Sequence, residues 1–94
     1  MMMVGIGYGS FVATDQIVAL VPSTSKPIRQ MIREARERGM LVDATMGKRT
    51  RSVLVMASNH VVTSANAVRT ILQRASRLPG SEGTHEAQPL ETTD

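Results

Sequence analysis

The chain has 94 residues and no cysteine, which allows one domain and excludes disulfides and thiolate metal sites. All 11 Lys and Arg lie within residues 1–77 alongside four acids, so this part carries a net charge of +7, whereas residues 78–94 carry −4. A basic body with an acidic tail predicts an anionic partner, and nucleic acid suits it better than a membrane surface.

The first part of the chain predicts two strands followed by a helix. Residues 1–8 and 16–21 are β-rich runs separated by turn residues, which indicates a hairpin or a bulged strand. Pro22 ends the second run, Ser25 is a candidate N-cap, and Pro27 suits the first turn of a helix. Gly39 is placed to close this helix as a left-handed cap. One helix face collects the apolar residues Ile28, Met31, Ile32 and Ala35.

The second part predicts three more strands and a second helix. Residues 40–45 form a strand, residues 46–49 a turn, and residues 50–57 the strongest strand. That strand is apolar on both faces, so both must be covered, and two helices and a second subunit could bury what one helix cannot. A short strand at residues 60–63 leads into a helix capped by Ser64 or Asn66. We therefore expect an α+β fold with a small, mostly antiparallel sheet, a central helix and a C-terminal helix.

Residues 78–94 contain Pro, Gly, Thr and acids without any periodicity, so they cannot bury enough apolar surface to offset the entropy of ordering. We predict a folded domain at residues 1–77 and a disordered acidic tail at residues 78–94. No stretch is long and apolar enough to span a bilayer, and the start lacks the cationic region of a signal peptide. These patterns favour a cytoplasmic protein without a membrane partner.

The most informative segment is a basic turn between two apolar runs. Its cations are Lys48, Arg49 and Arg51, and Thr50 adds a hydroxyl that can also bond a phosphate. Gly47 permits the sharp reversal that brings these side chains out of the fold together. Cations so close together without an intervening acid favour phosphate binding, although short basic clusters are often solvated charges that border a strand.

Two other patterns have structural interpretations. The helix arginines at positions 29, 33 and 36 fit an ordinary solvated outer face, which we favour over a binding role. The glycines of residues 5–9 are followed by another strand, whereas a nucleotide-binding loop needs a helix directly after it. A bend or close backbone packing accounts for them better.

No residues predict catalysis, a cofactor, a metal site or a small-molecule substrate. His60 has no Cys or second His nearby, and Asp43 has no matched base or nucleophile. We expect Asp43 to accept hydrogen bonds from the basic turn or to neutralise one of its arginines. Tyr8 and Phe11 are the only aromatic residues, too few for a base-stacking platform, which favours duplex DNA contacted through its backbone.

Four motifs resemble the RemA family, the bacterial extracellular matrix regulatory proteins. They are IGYG at residues 6–9, PIR at residues 27–29, ARERGMLVDAT at residues 35–45 and GKRTR at residues 47–51. The resemblance covers about residues 5–75. It implies a small α/β protomer, related to LytTR-type DNA-binding domains, that assembles into a ring of about seven or eight subunits, binds promoter DNA around its outside and regulates the biofilm matrix.

The same resemblance implies that Lys48 and Arg49 contact DNA, with Arg51 adjacent. Gln16 stands where the family has a third DNA-contacting arginine, and the neighbouring Asp15 adds an acid. We therefore expect a ring-forming transcriptional regulator that wraps or bends double-stranded DNA and is not an enzyme. The alternative is an oligomeric scaffold whose DNA binding is weak or lost. The sequence leaves open the target promoters, the exact ring size and the role of the acidic tail.

Overall fold

The computed structural model describes residues 2–77, which form two β-sheets and two α-helices. The elements are β1 (Met3–Gly7), β2 (Ser10–Ala13), β3 (Ile17–Pro22), α1 (Lys26–Glu37), β4 (Leu41–Asp43), β5 (Ser52–Met56), β6 (Val61–Ser64) and α2 (Val68–Ser76). β1 and β2 form an antiparallel hairpin, and the larger sheet has the order β3-β5-β6-β4, in which β4 and β6 form the parallel pair. The predicted α+β class with mostly antiparallel pairing is confirmed, with two sheets in place of one. The predicted tail at residues 78–94 lies outside the described residues.

Helix α1 begins and ends as its sequence predicts. The Ser25 Oγ accepts a hydrogen bond from the Ile28 N–H at 3.3 Å, and Pro27 lies in the first turn, where no N–H is needed. After the helix, Gly39 adopts a φ of 73°, the left-handed conformation that commonly follows a helix end. These signals all lie within 15 residues of one another, so local chemistry is sufficient to place this helix.

The predicted cap of the second helix is wrong. The N-cap residue of α2 is Ala67, which makes no side-chain capping bond. The Ser64 hydroxyl instead donates to the Ile6 carbonyl oxygen at 2.7 Å and accepts from the Asn66 N–H at 2.9 Å. Ser64 therefore joins the hairpin to the larger sheet, because its hydroxyl finds a tertiary partner far away in the chain.

The central strand β5 is covered on both faces, as its apolar pattern predicts. Val53 packs on the α1 side with Ala35 and Val61, whereas Leu54 faces a second cluster. That second cluster contains Val4, Ile6, Ala44, Leu54, Val62 and Ile71. Its cover comes from β1 and α2 of the same chain, and a contribution from a neighbouring subunit stays a prediction. The sequence pattern did not reveal that the first strand folds over the larger sheet.

The glycines of the first hairpin serve a bend and a close approach. β1 pairs with β2, not with β3, and Gly7, Tyr8 and Gly9 have φ values of 106°, 53° and 80°. A Cβ on Gly7 would lie 3.0 Å from the Asn66 Oδ1, a contact tighter than most real Cβ contacts. The structural interpretation of residues 5–9 is therefore confirmed. Across residues 2–77, neither helix has the length and apolarity required to cross a membrane.

Candidate functional site

The basic segment begins in a tight turn held by a backbone hydrogen bond. The Lys48 N–H donates to the Thr45 carbonyl oxygen at 3.0 Å. The two residues between them, Met46 and Gly47, have φ values of 53° and 80°, the positive angles of a type I′ turn. Glycine adopts this conformation at no steric cost. Met46 adopts the same conformation at an exposed position, with 62% of its surface exposed.

The carboxylate of Asp43 organises the start of this turn. Its Oδ1 accepts three hydrogen bonds, from the Thr45 hydroxyl at 2.7 Å, the Thr45 N–H at 3.0 Å and the Thr63 hydroxyl at 3.0 Å. The hydrogen bond from the Thr45 hydroxyl is the main cause that lowers the pKa of Asp43 below its ordinary value of 3.8, followed by the Thr45 N–H, with smaller contributions from Thr63 and the positive charge of Arg36. The prediction that Asp43 accepts hydrogen bonds from the turn is confirmed.

The segment after the turn is clamped between two strand ends. The Ser23 hydroxyl donates to the Thr50 carbonyl oxygen at 2.8 Å. The Ser23 N–H donates to the Arg51 carbonyl oxygen at 3.3 Å, and the Arg51 N–H donates to the Ser64 carbonyl oxygen at 2.8 Å. The backbone that carries the cations is therefore fixed to the ends of β3 and β6.

The cations of the basic turn project into solvent without a carboxylate partner. Lys48, Arg49 and Arg51 are exposed, and Thr50 is half-buried. Inside the described range of residues 2–77, none of the three cationic side chains makes an ion pair or a hydrogen bond. Charges held on a fixed backbone and left unneutralised are available to an external anion.

The structure places Gln16 away from the basic turn within one subunit. The Gln16 carbonyl oxygen accepts a hydrogen bond from the Ala57 N–H at 2.8 Å, just beyond one end of β5. Arg51 directly precedes the opposite end of β5. Because a strand rises roughly 3.3 Å per residue, these two positions are about 20 Å apart. Lys48, Arg49, Thr50 and Arg51 are thus brought together, whereas Gln16 is not.

The arginines of α1 form a groove with the basic turn, a feature that the sequence did not predict. This groove, called the α1 groove below, has a volume of about 490 Å³. It is lined by Ser23, Thr24, Arg29, Ile32, Arg33, Arg36, Arg49 and Thr50. The sequence signal was the spacing of the helix arginines at i, i+4 and i+7, which places them on one face. Their approach to Arg49 depends on the hydrogen bonds that Ser23 makes to the backbone of the basic segment. It could not be inferred from that spacing.

A second, larger groove lies on the other side of the basic segment. Its volume is about 1050 Å³, and it shares Ser23, Thr24, Arg49 and Thr50 with the α1 groove. Arg51 and Arg69 add positive charge, and the remaining lining residues are mostly apolar: Leu20, Val21, Pro22, Ala67, Val68, Thr70 and Leu72. Arg49 therefore lies between the two grooves, and a continuous basic band extends from α1 to the start of α2.

Other polar groups of the described part form no reactive cluster. The Ser58 Oγ and the His60 Nδ1 are 2.7 Å apart and hydrogen-bonded, at the loop between β5 and β6. Among residues 2–77, no group of three or more His, Cys, Asp or Glu side chains is positioned to hold a metal ion. The basic band is consequently the main chemical feature of this surface.

Comparisons with known proteins identify one family. The RemA-like family, described as extracellular matrix regulatory protein A-like, matches residues 3–75. A protein of Acetivibrio thermocellus is 43% identical over 94 residues, which cover 100% of this chain and 94% of that protein. Proteins of Halothermothrix orenii and Bacillus pumilus are 46% and 45% identical, over 86% and 79% of this chain and 93% and 83% of their own lengths. All three carry the provisional name of regulatory protein, and these names describe regulation, not catalysis.

Proposed function

Because this chain belongs to the RemA-like family of regulatory proteins, we propose that it regulates transcription by binding duplex DNA, and that the basic turn contacts phosphate groups. The observation that carries this proposal is the set of exposed, unneutralised cations on a clamped backbone. Lys48 and Arg49 are the principal contacts, and Arg51 and the Thr50 hydroxyl assist. Such contacts position DNA without reading its sequence. The protein would act in the cytoplasm, where promoter DNA is accessible.

Phosphate contacts from one subunit are too few for useful affinity. If one turn neutralised two phosphates, log K would fall against log salt with a slope of only about −2. Four subunits bound to one DNA would steepen the slope to about −7. We therefore include in the proposal a closed ring of about seven or eight subunits, built by head-to-tail contacts, around which DNA wraps or bends.

Surfaces outside the core support such an assembly. The apolar side chains of Tyr8, Phe11 and Val18 are exposed by 55%, 60% and 68%. In the larger sheet β3 and β4 are edge strands, and an edge carries unpaired backbone groups that can pair with another chain. Contacts between copies would remove this apolar surface from water.

The proposal is tested by removing two cations of the turn. Lys48→Ala with Arg49→Ala should reduce affinity for a duplex at least tenfold at low salt in a mobility-shift assay, because the main phosphate contacts are lost. Arg38→Ala with Arg77→Ala removes the same charge from exposed positions that line neither groove, and it should have a much smaller effect. If the turn variant binds DNA as tightly as the unchanged protein at low salt, the proposed function is wrong.

A second candidate function is an oligomeric scaffold whose DNA binding is weak. It is favoured by the pair Asp15 and Gln16, which are both exposed in the short turn before β3. The resemblance to the RemA family implies a DNA-contacting arginine at this position. Gln16→Arg discriminates between the two functions. A large gain in DNA affinity would favour the scaffold, and little change would favour DNA binding through the basic turn alone.

A further inference from the structure

We infer that the α1 groove is a second phosphate-binding site, which takes phosphate groups of the DNA backbone beyond those contacted by the basic turn. This inference rests on the proposed DNA binding and extends it. The residues that would contact the phosphate oxygens are Arg29, Arg33, Arg36 and Arg49, together with the hydroxyls of Thr24 and Thr50. The helix arginines then have a binding role and do not merely form a solvated face.

The groove is built from two elements that converge on the same space. Arg29, Arg33 and Arg36 project from one face of α1, and Arg49 approaches from the basic segment. One guanidinium is already held in place, since the Arg29 Nη1 donates to the Thr24 carbonyl oxygen at 2.5 Å. A guanidinium fixed by one bond keeps its remaining N–H donors for a ligand. The volume of about 490 Å³ lies within the range of ligand-binding clefts.

Charge balance in the groove calls for an anion. Four arginines line it, and no carboxylate is among the lining residues. The carboxylates of α1, Glu34 and Glu37, form no ion pair with another described residue. Asp43 is close enough to Arg36 for that charge to lower its pKa, so it offsets part of one of the four positive charges and leaves the groove with a net excess of them. Repulsion among neighbouring cations is relieved when a phosphate binds between them.

Hydroxyl groups in the groove complement the guanidinium groups. The Ser23 hydroxyl is occupied, because it donates to the Thr50 carbonyl oxygen. The hydroxyls of Thr24 and Thr50 have no hydrogen-bond partner in the described part of the chain. Threonine hydroxyls and arginines are both common phosphate contacts in protein–DNA complexes. The groove thus offers donors of two kinds to phosphate oxygens.

Continuity with the basic turn identifies DNA as the source of the phosphate. Arg49 lines the α1 groove and neighbours Lys48 on the turn. A backbone that contacts the turn can continue across Arg49 to the arginines of α1 without leaving the basic band. Each added contact neutralises a further phosphate, so the groove would increase both affinity and salt dependence.

The experiment measures the salt dependence of duplex binding for a groove variant and a matched control. Arg33→Gln with Arg36→Gln removes two groove charges, and Arg38→Gln with Arg77→Gln removes two charges outside both grooves. Glutamine is a good helix former, so α1 should persist, which circular dichroism verifies. The slope of log K against log salt is negative, and its magnitude should fall by about 0.9 for each lost phosphate contact, several units for an assembled particle. If the groove double variant does not fold, Arg33→Gln alone should show about half of this fall.

The failures of the two proposals differ. If the Lys48 and Arg49 variant loses affinity while the groove variant keeps the slope of its control, DNA binding by the turn stands and the second site is refuted. A separate titration with inorganic pyrophosphate, followed by thermal denaturation, tests a free phosphate as the source. Stabilisation that the groove variant loses, combined with an unchanged DNA slope, would overturn the assignment to DNA in favour of a small phosphorylated ligand.

Discussion

Replacing Asp43 by Asn should destabilise the protein by weakening the hydrogen bonds that hold the start of the basic turn and tie it to β6. The side chains have nearly the same shape, so the change removes a charge and leaves packing intact. In the native protein one carboxylate oxygen accepts three hydrogen bonds, two from Thr45 and one from Thr63. Both threonines are buried, with 3% of their surface exposed. Their donors therefore depend on Asp43 and not on water.

The expected magnitude follows from the number and type of these bonds. A hydrogen bond to a charged group contributes about 1.5–3 kcal/mol, against about 0.5–1.5 kcal/mol between neutral groups. Weakening three such bonds would cost about 3 kcal/mol. Since Asp43 is itself exposed and asparagine keeps one acceptor oxygen, we expect a loss of about 1–2 kcal/mol. For a domain of this size that loss lowers Tm by roughly 5–15 °C.

Thermal denaturation followed by far-ultraviolet circular dichroism measures this change. The protein concentration must be fixed, because association shifts Tm by mass action. Asp15→Asn is the matched control, since Asp15 is an exposed acid that makes no hydrogen bond through its side chain in the described residues. Its effect should stay within about 0.5 kcal/mol. Equal Tm values for the two variants would refute the role of Asp43 in holding the turn.

The stabilisation by Asp43 should also depend on pH. Its pKa in the folded protein lies below the ordinary value of 3.8, so the unfolded state binds the proton more readily. The contribution is therefore fully present above about pH 4 and is lost as the pH falls through the folded pKa. The Tm of Asp43→Asn should consequently approach that of the unchanged protein below this range. A constant difference between them down to about pH 2 would contradict this linkage.

Two further substitutions test the turn and the core. Gly47→Ala places a Cβ at a φ of 80° with no atom within 4 Å, so the cost should be conformational, about 1–2 kcal/mol by urea denaturation. Leu54→Ala opens a cavity at a position with 0% exposure and should cost about 2–5 kcal/mol in the same assay. Gln30→Ala, at an exposed position of α1 that lines neither groove, is its control and should change stability by less than about 0.5 kcal/mol.

Local chemistry made much of the fold predictable from the sequence. Ser25, Pro27 and Gly39 specify the ends of α1 through bonds and backbone angles that involve only nearby residues. The apolar run of β5 has no alternation, which required cover on both faces. These features depend on the residues themselves, so a sequence pattern is enough to reveal them.

Features that depend on distant partners were not predictable. Ser64 has the chemistry of a helix cap, but its hydroxyl bonds the Ile6 carbonyl oxygen, 58 residues away. In the sequence, the arginines of α1 have the pattern of an ordinary polar helix face. Only the hydrogen bonds of Ser23 to the segment that carries Arg49 bring the two together. In both cases the partner that tertiary structure brings close could not be inferred from the local sequence pattern. The basic turn was evident from the sequence, whereas its extension into the α1 groove required the structure.

Within the described residues, the folding of one chain does not depend on the proposed assembly. Because β1 and α2 cover the second face of β5, a single chain completes both core clusters. In the proposed function, association would serve DNA binding, since one basic turn contacts too few phosphates to hold DNA at moderate salt. The exposed Val18 lies on β3 toward its Gln16 end, whereas the basic band lies beyond Pro22 at the other end. Contacts between copies through the Val18 end would leave the basic band of every subunit open to the same DNA.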